Sequence, residues 1–110
     1  MSIRHDFLKQ LDESKLETIS IHDVTKIILK ILKVGDNIQS ILDEINKKKL
    51  FFVNEGDELM VNIFTSSYYW VLCIHARKHE NIKDMEIYKR QSYKLWNKIV
   101  NELSITSVKE

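Results

Sequence analysis

The chain has 110 residues, 44% hydrophobic and 30% charged, with a net charge of +1. That composition fits one domain with one core, and its near-neutral balance argues neither for a nucleic-acid protein nor for an acidic mimic. No apolar run approaches the ~18 residues of a membrane span. The opening Met1-Ser2-Ile3-Arg4-His5-Asp6 lacks the apolar stretch of a signal peptide, and a single cysteine, Cys73, forbids an internal disulfide. The expectation is a cytosolic protein with no membrane attachment. Proline is absent and glycine occurs only at positions 35 and 56, so helices can run on and true turns should be few. Abundant isoleucine, lysine and asparagine beside scarce alanine and arginine suggest an AT-rich coding genome, such as a phage, plasmid or other mobile element of a low-GC host.

In chain order, Ile3, Phe7, Leu8 and Leu11 share one face of a short first helix that ends near Asp12-Glu13-Ser14. Ser20 followed by Asp23 reads as a capping arrangement for a second helix, which turns Val24, Ile27, Ile28, Ile31 and Leu32 inward. Gly35-Asp36-Asn37 reads as a helix end and a new N-cap, and Ile38, Ile41, Leu42 and Ile45 form the stripe of a third helix. The phase of the Val24–Ile45 stripe survives Gly35, so one long bent helix over 21–49 is the rival reading; the glycine's cost of about 1 kcal/mol in a helix interior favours the break.

Leu50-Phe51-Phe52-Val53 and Glu58 to Phe64 flank a polar segment containing Gly56, and Leu59, Val61 and Ile63 alternate with other residues. This pattern predicts a β-hairpin over about 50–64. Thr65-Ser66-Ser67 then offers N-cap hydroxyls for a fourth helix, apolar on nearly every face from Tyr68 to Ala76 and therefore central. Asn81 reads as a stop. A last helix from about Ile82 to Leu103 carries Ile87, Tyr88, Leu95, Trp96, Ile99 and Leu103 on its buried side. The expected fold is mainly α (small α+β): a compact bundle of about five helices with one hairpin between the third and fourth, a single domain over 1–103 and a flexible tail over 104–110.

Candidate chemistry is sparse. His75 and His79 lie one helical turn apart, but no zincin glutamate accompanies them, and Cys73 falls on another face. Ser66 and Ser67 lack a nucleophile-elbow context, and there is no glycine-rich phosphate loop. A thiol inside an apolar helix is blunted by burial. No catalytic, cofactor-binding or metal-ligating set is therefore assigned.

Charge is segregated instead. Lys26, Lys30 and Lys33 line the second helix, Lys47, Lys48 and Lys49 end the third, and Arg90, Lys94 and Lys98 line the last. These nine residues are the candidates for nucleic-acid contact. Trp70, Tyr93 and Trp96 are candidate protein-interface anchors. Taken together, the sequence predicts a small non-enzymatic regulatory or binding protein that acts through protein–protein contact. It would form a homodimer through the Val24–Ile45 stripe or the Trp96 face. The alternative is nucleic-acid binding, either as a winged-helix-like variant whose wing would be the acidic hairpin or as a helical subunit using the basic stripes.

Overall fold

The computed structural model describes residues 3–13 and 20–108, and these form five helices: α1 (Ile3–Glu13), α2 (Ile21–Leu32), α3 (Ile38–Glu55), α4 (Glu58–Lys78) and α5 (Ile82–Val108). Helix α4 is the axis of the fold. It packs most extensively on α5, then on α3 and α2, while α1 rests on α2. The molecule measures 43 × 26 × 25 Å. No helix among the described residues is long and apolar enough to cross a membrane.

Local chemistry sets each boundary. Ser20 Oγ accepts from the Asp23 amide at 3.2 Å and the Asp23 carboxylate accepts from the Ser20 amide at 3.4 Å, a closed capping box. Helix α2 ends at Lys33, which adopts the left-handed conformation (φ 54°, ψ 41°) and donates its amide to Leu29. The break between α2 and α3 is therefore made two residues before Gly35, and Asn37 Oδ1 caps α3 by accepting from the Ser40 amide at 3.0 Å. Asn81 starts α5 as well as stopping α4: its Oδ1 accepts from the Asp84 amide at 3.3 Å, and its own amide donates to Ala76 at 2.8 Å.

The predicted hairpin over 50–64 does not form, and the described residues contain no strand. Leu50 to Val53 lies within the last two turns of α3, and Glu58 to Phe64 opens α4. Between them Gly56 adopts φ 70° as the C-cap, its amide donating to Val53 and the Asp57 amide to Phe52. Asp57 then caps α4 through Oδ1, which accepts from the Met60 amide at 3.2 Å. A polar segment with one glycine serves a helix–helix corner as well as a hairpin. The buried residues at the start of α4 are Met60, Ile63, Phe64, Ser66 and Ser67, and the three- and four-residue steps among them override the apparent alternation of Leu59, Val61 and Ile63. Thr65, Ser66 and Ser67 lie inside α4 rather than capping it. Without a wing, the winged-helix form of the nucleic-acid reading has no structural basis.

Phe7, Ile21, Val24, Ile28, Ile45, Met60, Ile63, Phe64 and Ile99 are almost completely buried at the centre. Polar side chains pin α4 to its neighbours. Ser66 Oγ donates to the Ser92 carbonyl and Ser92 Oγ to the Ser66 carbonyl, both at 2.9 Å, across the α4–α5 contact. One residue along α4, Ser67 Oγ accepts from Thr25 Oγ1 of α2 at 3.2 Å. All four side chains are buried. Small serines here allow each side chain to reach the main chain of the opposing helix. On α5 the buried line is Ser92, Trp96 and Ile99, whereas Ile87, predicted inward, is 46% exposed. Helix α5 runs on through Val108, so residues 104–108 of the expected tail are helical, and 109–110 lie outside the described residues.

Candidate protein-contact surface

The predicted interface anchors separate. Trp96 is 8% exposed and belongs to the core, so it is not a surface anchor. Trp70 and Tyr93 do come together. Their rings stack at 5.9 Å with an interplanar angle of 17°, and Lys89 Nζ lies 5.9 Å from the centre of the Tyr93 ring. Trp70 Nε1 donates to His22 Nδ1 at 3.2 Å. This strip, running from α2 across α4 to α5, is a surface whose contacts are already made within the chain. The other predicted dimer surface is also occupied internally: Val24, Ile28, Leu42 and Ile45 are all core residues.

The basic candidates lie on outward faces. Lys26 and Lys30 on α2 point away from Val24 and Ile28, and Lys33 is exposed at the C-cap; Arg90, Lys94 and Lys98 on α5 lie opposite Ser92, Trp96 and Ile99. Lys47 is exposed and Lys48 and Lys49 half-buried near the end of α3. The basic positions of α3 and α5 ride on helices that pack on α4 rather than extensively on each other.

Among the remaining candidates, Cys73 is buried and its thiol is pushed above its ordinary range, chiefly by desolvation, with Glu86 adding to the rise and Lys89 and Arg77 opposing it. The His75 and His79 rings meet edge-on at 4.4 Å. No three His, Cys, Asp or Glu side chains among the described residues are placed to hold a metal ion. A groove of about 250 Å³ between α2, α3 and α4 has an apolar floor including Leu29, Ile41 and Val71, and a rim including Lys26 and Lys78.

The surface that sequence reasoning missed is the end of α3. Leu50, Phe51 and Val53 are 56%, 51% and 49% exposed, while Phe52 between them is 3% exposed. Phe52 stacks on Phe64 of α4 at 5.5 Å, and Phe51 sits edge-on to Phe52 at 5.2 Å. A helix needs only one apolar stripe to join a core, and Phe52 supplies it here. The other three face water. Two hollows flank this corner, both floored by Phe52. One, about 330 Å³, lies between Phe51 and the start of α1, with Ile3, Arg4, Lys48, Glu55 and Asp57 around it. The other, about 260 Å³, lies beside Val53, Gly56 and Val61. Arg4 Nε binds Asp57 Oδ2 at 2.9 Å and ties α1 to the corner. The available signal was the run Leu50-Phe51-Phe52-Val53 itself: read as helix, it is apolar on every side, which a one-sided core cannot use.

No family model, curated protein or solved structure matches the chain.

Proposed function

We propose that this chain is a small cytosolic, non-enzymatic binding protein that acts through protein–protein contact, and that the α3–α4 corner is the contact surface. The carrying observation is the exposure of Leu50, Phe51 and Val53 within four consecutive positions. Single exposed apolar residues are ordinary, but a contiguous group beside hollows is what partner-binding surfaces present. The charges flanking the group, Lys47–Lys49 before it and Glu55, Asp57 and Glu58 after it, form the polar rim such a surface needs.

The test is the double substitution Leu50→Ser/Phe51→Ser in the full chain. Because both side chains face solvent, the melting temperature should hold while retention of a co-purifying protein partner is lost. Charge reversal at Arg90 and Lys94 should leave that retention intact. Retention that survives the double substitution but disappears on charge reversal, together with salt-sensitive carry-over of nucleic acid, would replace this reading with the basic-face one.

A further inference from the structure

We infer that the partner for the α3–α4 corner is a second copy of this chain, paired antiparallel along the end of α3 about a two-fold axis at Phe51. The inference rests on reading that corner as a protein-contact surface and adds what covers it. Helix positions three and four apart share a face. Centred on Phe51, that face carries Lys47 and Lys48 on its N-terminal side and Asn54 and Glu55 on its C-terminal side. A two-fold axis through Phe51 exchanges positions equally far before and after it. It therefore sets Lys47 against the partner's Glu55, Lys48 against the partner's Asn54, and Phe51 against the partner's Phe51. A parallel neighbour would instead set lysine against lysine.

The side chains are free to make these contacts. Glu55 has no ion-pair partner among the described residues, and Lys47 reaches only Glu44 of its own helix, at 3.4 Å, in an exposed pair of little strength. The hollow of about 330 Å³ beside Phe51 offers Ile3 and Phe52 as a floor for the partner's Phe51 ring. By symmetry each copy gives one ring and receives one. Of the other exposed apolar residues, Ile74 has no opposite charges three or four positions to either side, and Ile82 starts α5, so Lys78 lies on a different helix from Glu86; Ile87 lies between Asp84 and Arg90, but Asp84 already accepts from Asn81 Nδ2 at 2.8 Å.

The experiment is light scattering on the full chain during size exclusion, over a series of concentrations, with melting temperature recorded for every variant. The mass should rise with concentration towards twice 13.1 kDa. Phe51→Glu should give a monomer throughout, with the melting temperature of the wild-type chain diluted below its dissociation constant. Glu55→Lys should raise the dimer's dissociation constant at least tenfold, and Lys47→Glu added to Glu55→Lys should restore most of that loss. A dimer indifferent to Phe51→Glu, or one that the double charge exchange does not restore, would overturn this pairing. A wild-type monomer at every concentration would overturn it too. If such a monomer still retained another protein only with Leu50 and Phe51 intact, the contact-surface reading would stand; if not, both would fall.

Discussion

Ser66 is the position at which a single added side chain should do most damage for its size. It is fully buried, as is Ser92, and each hydroxyl donates to the other residue's carbonyl at 2.9 Å, with the hydroxyls themselves 3.3 Å apart. Ser66→Ala removes one of these bonds and leaves no uncapped donor. The Ser92 carbonyl keeps its place in the α5 ladder, so the loss should be about 1 kcal/mol. Ser92→Ala should cost about the same, and the double variant somewhat less than the sum because the hydroxyls share one contact. Ser66→Leu loses the same bond and also forces three more carbons between two main chains that serine lets approach. Overpacking adds roughly 1–3 kcal/mol, for a total near 3 kcal/mol, a large fraction of the roughly 5–15 kcal/mol that holds a domain together. Urea unfolding followed by the fluorescence of Trp70 and Trp96, with linear extrapolation, reads all four variants on one scale. A Ser66→Leu protein no weaker than Ser66→Ala would show that α4 and α5 do not approach as described.

The two glycines should respond in opposite directions. Gly56 holds φ 70°, so Gly56→Ala should cost about 1 kcal/mol, whereas Gly35 lacks a positive φ and has open space around it, so Gly35→Ala should raise stability by about 0.4–1 kcal/mol; thermal melts decide both. Asp57 both caps α4 and binds Arg4, so Asp57→Asn should retain most of the cap and lose the ion pair, at well under 1 kcal/mol given Arg4's exposure, while Asp57→Ala should cost about 1–2 kcal/mol in the same unfolding assay. Native Cys73 should alkylate far more slowly at pH 8 than in denaturant, because burial hides the thiol and disfavours the thiolate. The folded thiol titrates above the unfolded one, so its contribution is complete below the ordinary thiol range and is lost as pH rises through and past it. Cys73→Ala should flatten that part of the stability–pH curve.

Helix existence was legible wherever a 3.6-residue period met a cap. Ser20 with Asp23, and Asn37 after the glycine, mark their helix starts because short polar side chains bond nearby amides independently of tertiary context. The central place of α4 followed from an apolar surface on all sides around Tyr68 to Ala76. Residues 50–64 went wrong because a short run of Leu, Phe and Val suits a strand or a buried helix turn equally, and a Gly-containing corner fits either. Only packing of Phe52 on Phe64 decides between them. The roles of Ser66 and Ser67 were hidden for a similar reason: a serine in sequence signals a cap or a nucleophile, while its use as a small, close contact depends on which helix lies opposite. Trp96 reads as an anchor by type, but its helical spacing to Ile99 also placed it on the buried side of the last helix, and that reading holds.

The claim that the α3–α4 corner pairs with a second copy of the chain is tested most directly by amide chemical shifts of the labelled chain, recorded from dilute to concentrated solution. Shift changes and line broadening confined to Lys47–Glu58 and the start of α1, growing with concentration, are the predicted result. Spectra unchanged over the series, or changes centred on the outer face of α5 from Arg90 to Lys98, would contradict it.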